Sequence, residues 1–504
     1  MAIETELKLR IAPEQLARLK RHALLKAHQV TRPVTRRLYN IYFDTPKLEL
    51  HKSEMALRLR RSGRQWLQTL KGGGSVKAGL HQRNEWEVPV KGMALDFSSP
   101  QTSELRDHLP KTLRDKLQPV FVTDFSRSSR MLDWQGAQIE LCMDQGSVST
   151  EQHSIALCEL ELELKSGQPW QLFELALAIL EVVPFELEVI SKAEQGYRLL
   201  SGAGDKPVKG SVPAISRADT FGDVLQRLIW SCLMHLQSNL RGAMESEDAE
   251  YLHQMRVALR RMRVAMRLAE RLRPDEQLAD LSKEAAALGT ALGRAREWDV
   301  FIAQTMQPMC TRMAGHAGLQ ALLAASKRHR DACYDELRGK AQSHELQRLI
   351  LRFGIWMTGP YWEQQQGVAL ASEFAARRLR KLFKRFSQPG HYLDSFEAEQ
   401  LHALRIVAKK LRYTAEFFAS LYDKQEAKSF LGALSDVQDV LGQINDVAAS
   451  HRLLDELEAA VNPAADRDAV ALAKGWIAHG LSHQYAALRK AIQRFGRQRP
   501  FWEK

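Results

Sequence analysis

Glu4, Glu6 and Lys8 stand at alternate positions in ETELKLR, residues 4–10, with Leu7 and Leu9 between them. In an extended chain alternate residues share a face, so two carboxylates and an ammonium point one way and apolar side chains the other. The same parity recurs in Arg58 and Arg60 of ALRLRR, Lys71 of WLQTLK, and Arg83, Glu85 and Glu87 of QRNEWEV. It returns in Glu140 and Asp144 of IELCMD, and in Glu159, Glu161, Glu163 and Lys165 of CELELELK. One such strand is an ordinary solvated sheet face. Six of them are not, because Leu160, Leu162 and Leu164 alternate with the glutamates and must pack against something. A closed antiparallel sheet turns the apolar side outward, against helices, and the charges inward. An interior of unpaired charge is prohibitive. A polyanion with divalent cations would compensate it: Arg and Lys grip phosphate oxygens, Arg through its bidentate fork, and clustered carboxylates are hard oxygen ligands suited to Mg²⁺ or Mn²⁺.

The elements that must position these residues divide the chain in two. Over residues 1–200, strand-like segments fall at 3–9, 37–43, 55–61, 65–71, 83–90, 120–124, 129–134, 137–144 and 156–165, with helical pieces at 13–27, 103–117 and 170–182. Short Gly-rich or polar turns between successive strands imply antiparallel pairing. GSVKAGL (74–80) spaces two glycines as a phosphate-binding loop does, but Leu80 stands where that loop requires Lys, so KGGGSVKAG reads as a flexible connection between two strands. SGAGDKPVKGSVP (201–213) reads as a linker. The expected domains are 1–202, a linker at 203–216, and a helical domain at 217–504 with 3.6-residue periodicity.

The helical half repeats itself. LHQMRVALRRMRVAMRLAE (252–270) and LHALRIVAKKLRYTAEFFA (401–419) align without a gap at an offset of 149, and LGRARE (292–297) meets LGQIND (441–446) at the same offset, which implies two related helical bundles. An apolar 3/4-spaced stripe on the first helix is paralleled, one residue on, by His253, Arg256, Arg260, Arg263 and Arg267. The second repeat carries His402, Arg405, Lys409 and Arg412, and a third basic run, RRLRKLFKR, covers 377–385. Such stripes are often solvated faces whose stems cover apolar surface. Here neither contains an acidic partner, which points to an anion as ligand.

The whole chain, 504 residues with a net charge of +12, calls for two or three domains and an anionic partner. Five dispersed cysteines imply reduced thiols in a cytosolic setting and no zinc site. No apolar run is long enough to span a bilayer, so no membrane association is expected. Nucleic-acid binding is disfavoured because the basic helices lack interleaved aromatics and a reader motif.

The first 200 residues resemble a CYTH domain of the triphosphate tunnel metalloenzyme superfamily. The resemblance rests on the ExExK of Glu4, Glu6 and Lys8, on YFDTP (42–46), the RxR of Arg58 and Arg60, Lys71 and HQRNEWEV. TDFSR (123–127), MDQG (143–146), ELELELKSG (159–167) and SKAEQGYRLL (191–200) follow in the family's order. It implies an eight-stranded antiparallel β tunnel in an α+β chain and metal-dependent hydrolysis of inorganic triphosphate to pyrophosphate and phosphate. By that resemblance Glu4, Glu6, Glu161 and Glu163 hold the metal, and Lys8, Arg58, Arg60, Lys71, Arg83, Arg127 and Lys192 hold phosphate. With Glu4, Glu6 and Lys8, the resemblance implies Glu85, Glu87, Asp144 and Glu159 as catalytic residues, carboxylates that touch the metal or stand one contact behind it. Alternatives of the same fold are an adenylate cyclase of class IV type or a nucleoside or thiamine triphosphatase, for which Trp66 or Trp86 could form a base pocket; an inert polyphosphate-binding scaffold is a third. Residues 217–504 resemble a CHAD domain on HQMRVALRRMR, LGRAREWDV, HALRIVAKKLRY and LGQINDVA. That resemblance implies a basic groove binding inorganic polyphosphate, with His253, Arg256, Arg260, Arg263, His402, Arg405, Lys409 and Arg412 as contacts. Arg296-Glu297 and Asn445-Asp446 stand where that family commonly has Arg-Asp.

Overall fold

A computed structural model describes residues 2–99, 102–202, 204, 206–342, 344–363, 370–387, 398–460 and 467–503. The chain forms two compact units, Met1–Lys206 with Ala341–Tyr361, and Pro207–Lys340 with Trp362–Lys504.

The first unit is built on β1 (Ala2–Arg10), β2 (Val34–Asp44), β3 (Met55–Ser62), β4 (Gln65–Lys77), β5 (Leu80–Val90), β6 (Gln118–Trp134), β7 (Ala137–Ser149) and β8 (Ser154–Ser166). They run β5-β4-β3-β2-β6-β7-β8-β1, and β1 also pairs with β5, so eight antiparallel strands close on themselves. Leu7, Leu9, Leu160 and Leu162 are fully buried on the outside, where helix Pro169–Leu180 packs on β1 and β8. Closure is the expected one, but three local features differ from the sequence reading. Segments 120–124 and 129–134 are one strand, because the intervening serines keep the ladder to β7 through pairs such as Ser126–Gln145. KGGGSVKAG is not a loose connection: the strand continues to Lys77 through a bulge between Gly72 and Ser75. At Gly74, with φ of 102°, a Cβ would stand 1.9 Å from the Gln82 carbonyl oxygen, so only glycine allows the strands to approach there. Trp66 and Trp86 pack outside the barrel against the core of Leu57, Leu59, Leu70 and Leu105, which removes them from any pocket in the tunnel.

Helix Glu345–Thr358, read from sequence as part of the helical half, belongs to the first unit and packs on helix Pro169–Leu180. Gly354 lies so near Phe173 that a Cβ would come within 2.3 Å of its ring. Gln347 accepts the Leu187 N–H at 3.1 Å, and Arg348 pairs with Glu181 at 2.9 Å. Periodicity identifies the apolar face of a helix but not the partner that covers it.

The second unit is helical, with long helices at Phe221–Glu245, Ala249–Leu272, Glu276–Phe301, Ala317–Gln342, Ala371–Ser387, Ala398–Phe418, Lys424–Ala460 and Arg467–Gly496. One core gathers Leu379, Leu404, Leu411, Phe430 and Phe495, another Trp298, Phe301, Leu322, Leu453 and Ala473. The last two helices contribute to both, so the repeats interlock rather than standing side by side. The second half of the expected linker is held in place. Asn239 bonds both the N–H and the carbonyl of Val208, Ser231 donates to the Ser211 carbonyl, and Ser420 accepts the Ile215 N–H.

A fragment ending at residue 206 leaves the Phe173 face of helix Pro169–Leu180 uncovered. It is expected to melt at a lower temperature than the same fragment supplied with a peptide of residues 341–361, measured by calorimetry. Equal melting temperatures would mean that this helix contributes nothing to the barrel's stability.

Candidate active site and basic helix cluster

The barrel encloses a cavity of about 350 Å³, and the inward parity of its strands decides what lines it. Glu4, Glu6 and Lys8 enter from β1, Arg58 and Arg60 from β3, Lys71 from β4, and Arg83, Glu85 and Glu87 from β5. Arg127 enters from β6, Glu161 and Glu163 from β8, and Lys192 from the start of helix Lys192–Ser201. Asp144 and Glu159, paired across β7 and β8, are buried within hydrogen-bonding distance of Lys192. Tyr42, Glu140, Lys165 and Ser191 also line the cavity. Glu140 and Lys165 carry the right parity in the sequence. Tyr42 was missed because the inward residues of β2, Asn40 and Tyr42, bear no charge to flag them.

Two regions of the lining differ in how completely their charges are matched. In the first, Asp144, Glu159 and Glu161 bring carboxylate oxygens within 4.8 Å of one another, close enough for a metal ion. Cations already fill that space. Lys192 contacts Asp144 at 2.7 Å, Glu161 at 2.9 Å and Glu159 more closely still. Arg127 forks onto Asp144 with bonds of 2.8 and 2.6 Å and also holds Glu161, which Lys8 holds too. Burial alone would raise the Glu161 carboxyl, but Lys192, Lys8 and Arg127 hold it well below the usual range. Burial, reinforced by Glu161, pushes Glu159 up against the pull of Lys192. Lys8 stays protonated despite its burial because Glu161 and Glu6 face it. Three carboxylates and three cations form a dense ion network, which Glu6 joins through Lys8 at 2.9 Å.

The second region is matched less fully: Lys165 serves both Glu140, at 3.2 Å, and Glu163, and Glu6 shares Lys8, at 2.9 Å, with Glu161. Register places Glu140 opposite Glu163 and Glu163 opposite Glu6, a row of three carboxylates across neighbouring strands. Like charges directly opposite are destabilising. Burial raises the Glu163 carboxyl and Glu4 and Glu140 add to it, with Lys165 at 2.5 Å the compensating group. Across the lining, burial with Arg58 and Arg127 lowers Arg60 to about 10, and the Arg58 Nε has no acceptor. Glu4 meets Lys71 at 2.5 Å, and Glu85 reaches both Lys71 and Arg58 at 3.4 Å. Carboxylates in excess at one place and guanidiniums in excess at another suit a divalent cation and a polyanion together.

Helix Lys192–Ser201 fixes one end of this arrangement. Ser191 caps it by accepting the Glu194 N–H, and Tyr197 donates to Asp44 at 2.9 Å. Asp44, the acid of YFDTP, also accepts the N–H groups of Thr45, Leu50 and His51. Gly196 is what lets the helix approach: a Cβ there would lie 2.2 Å from the Phe121 ring.

In the helical unit, Arg256, Arg260, Arg405 and Lys409 from the two repeats act on one another electrostatically. Burial, then Arg405, Arg260 and Arg256, lowers the Lys409 ammonium to about 7. The acids absent from both stripes arrive from the following helices, as the repeat-equivalent Glu297 and Asp446. Thus the two helical segments that depart from the family pattern, Arg296-Glu297 and Asn445-Asp446, still present acids to the cluster. His253 is half-buried beside it, its pKa lowered by burial and by Arg296. Arg412 is committed to Glu416 at 2.8 Å and Gln438 at 3.3 Å, Arg263 reaches toward Gly289, and His402 is exposed.

A closed antiparallel barrel with a charged lumen, followed by interlocked helical repeats, defines the class. Residues 2–197 match the CYTH domain and residues 227–455 the CHAD domain, and the chain belongs with the proteins that carry these two domains in succession. Over 205 residues it is 34% identical to an inorganic triphosphatase of Haemophilus influenzae, covering 40% of this chain and 55% of that protein. An uncharacterized protein of Mycobacterium tuberculosis is 24% identical over 440 residues, 82% of each chain. The CHAD domain from the plant Ricinus communis shares 29% identity with a TM-score of 0.52, covering 59% of this chain and 98% of that one. Among the described residues, no helix is long and apolar enough to cross a membrane.

Gly196→Ala is expected to destabilise the first unit by about 1–3 kcal/mol through overpacking on Phe121 and, by displacing Lys192, to lower any phosphate-releasing activity of the lumen. Thermal denaturation with a parallel phosphate-release assay checks both. A variant as stable and active as the parent would show that Phe121 yields freely.

Proposed function

We propose that the barrel hydrolyses inorganic triphosphate to pyrophosphate and phosphate with Mg²⁺ or Mn²⁺, and that the helical unit binds inorganic polyphosphate. The observation that carries the first part is the uneven charge of the lining: the three carboxylates of the Glu140–Glu163–Glu6 row share Lys165 and Lys8, and Lys8 also serves Glu161, while Arg58 and Arg60 are under-paired on the other side. The relative of Haemophilus influenzae, named an inorganic triphosphatase and matched over the barrel, supports the same reading. A bound metal would neutralise phosphate charge and lower the pKa of a water ligand. Glu4, Glu6 and Glu163 would hold it, with Glu161 available as its cations turn toward substrate.

The chain's own groups do the rest. Arg58, Arg60, Lys71 and Arg83 bind and orient the phosphates, and Arg127, Lys8 and Lys192 offset charge that builds up on transfer. Glu85 aims Arg58 and Lys71, while Asp144 and Glu159 fix Arg127 and Lys192. Glu87 accepts a bond from Thr69 at 2.9 Å. A nucleoside substrate is disfavoured because Tyr42 is the one aromatic ring among the described lining residues. The filled set of charged positions disfavours an inert scaffold.

A phosphate-release panel over triphosphate, pyrophosphate, ATP and thiamine triphosphate, with and without Mg²⁺ or Mn²⁺, should single out triphosphate with metal. Glu4→Gln and Glu6→Gln should each lower turnover roughly 100-fold or more and remove the rise in melting temperature that Mg²⁺ gives the parent. Near-parental turnover and an intact metal-induced shift would overturn the metal assignment.

The helical unit should bind long-chain polyphosphate with an affinity that falls steeply with salt, since each neutralised phosphate releases counterions. Arg260→Gln, Arg405→Gln and Lys409→Gln together should remove most of it. Lys409 adds a pH dependence. Its pKa falls from the usual 10.5 to about 7 in the free folded chain, so between those values the folded state is neutral there while the unfolded state is protonated. Without ligand, stability therefore rises with pH across that window. An anion favours the protonated form, so binding weakens as pH rises through about 7, and Lys409→Gln should flatten that part of the profile. An unchanged profile in the variant would exclude Lys409 as the responsible group.

A further inference from the structure

The basic stripe on helix Ala249–Leu272 continues past the repeat-related cluster. From Arg256 and Arg260 it passes through Arg263 and Arg267 to Arg271, about 22 Å along the axis at 1.5 Å per residue. The second repeat does not continue this way. Its counterpart of Arg267 is Glu416, which Arg412 holds at 2.8 Å. Duplication therefore accounts for the first cluster and not for what lies beyond it.

Beyond it, cations converge from three helices: Arg267 and Arg271, Arg378 and Arg385 from helix Ala371–Ser387, and Lys410 from helix Ala398–Phe418. Arg378 and Arg385 come from the third basic run of the sequence, seven residues apart and so on one helical face. Among the described residues, no salt bridge joins any of these five to a carboxylate, and Glu270 is the one acid acting on Arg267. The Nε and Nη1 of Arg378 are buried without a hydrogen-bond acceptor. Burial lowers Arg378 to about 10, and Arg271, Arg385 and Arg267 add to the shift. Lys410 is lowered likewise by burial and by Arg267, Arg378, Arg385 and Arg271. Donors that lack acceptors among groups that repel one another are complete only with an anion between them.

We propose that Arg267, Arg271, Arg378, Arg385 and Lys410 form a second anion site that takes the distal phosphates of a long polyphosphate chain whose nearer phosphates lie on the Arg256–Arg260–Arg405–Lys409 cluster. This rests on the polyphosphate reading of the helical unit and deepens it by assigning a chain-length preference. A short oligophosphate fills one cluster, whereas a chain long enough to follow the stripe engages both, and the second contact is then intramolecular.

The test measures binding of long-chain polyphosphate and of a short oligophosphate to the full chain in EDTA across a salt series. The variants are Arg378→Gln, Arg385→Gln and Lys410→Gln combined, and Arg385→Glu alone. Arg385 is exposed, so its substitution leaves the core intact should the triple variant lose its helical signal. The triple variant is expected to bind the long chain roughly tenfold or more weakly with a shallower salt slope, while its short-chain affinity stays within about twofold of the parent. Arg385→Glu should weaken long-chain binding in the same direction. Parental long-chain affinity in these variants would overturn the second site. Equal losses for long and short chains would also overturn it, by making the two clusters one site. If the parent itself binds no polyphosphate, the reading on which the inference rests fails instead.

Discussion

The pairing of β1 with β5 is the constraint on which the first unit depends. Residues Ala2–Leu7 lie opposite Leu80–Glu85, and that ladder turns an open amphipathic sheet into a closed one. In an open sheet Glu4, Glu6 and Lys8 would face water and need nothing. Once the sheet is closed they share a small cavity with more than ten other charged side chains, and each must find a counter-charge or a ligand. The outward leucines, Leu7 and Leu9 with Leu160 and Leu162, supply the apolar burial that makes closure favourable. Removing one partner of a buried ion pair costs about 3–5 kcal/mol, so the Lys192–Asp144–Glu159–Glu161 network contributes mainly by holding Arg127 and Lys8 in one arrangement. The fold thereby presents these lumen cations already positioned.

Much of this barrel is legible in the sequence because parity is a local property. Glu161 and Glu163 point inward for the same reason that Leu160 and Leu162 point outward, and no knowledge of neighbouring strands is needed to see it. What parity cannot supply is register. Whether Glu163 meets a lysine or another glutamate depends on which residue of β7 lies opposite, and that residue proves to be Glu140. The motif SKAEQGYRLL could be assigned only by family, since Lys192 acts from a helix and helical periodicity says nothing of a lumen. Its Gly196 is explained by Phe121, a contact between residues distant in the chain. Trp66 and Trp86 went astray differently: their parity places them outside, opposite to Glu85 and Glu87, and that rule outranks the general usefulness of tryptophan as a stacking platform.

In the helical half, duplication was legible because a gapless offset preserves helical phase. The two stripes could be paired residue by residue, and Arg256, Arg260, Arg405 and Lys409 do converge. The compensating acids were not legible. Glu297 and Asp446 lie on the next helix of each repeat, and their approach depends on how the helices cross. Helix Glu345–Thr358 failed for a related reason, because its amphipathic pattern is satisfied equally well by either unit.

The two units pose different electrostatic problems, and the difference separates the ligands they suit. The barrel lumen holds both signs, with carboxylates crowded at the Glu140–Glu163–Glu6 row and guanidiniums under-paired at Arg58 and Arg60. A bare polyanion would meet repulsion from the first group, and a bare cation from the second. A compact anion carrying its own divalent cation satisfies both. The helical cluster has four cations against Glu297 and Asp446, so its remaining charge is positive and distributed along a helix face. It has no carboxylate row to demand a metal, and its need scales with the number of phosphates laid along it rather than with their chelation. On the proposed reading, one phosphate chemistry is divided by geometry, with an enclosed lumen suited to a short chelated form and an extended basic face suited to a long uncomplexed one.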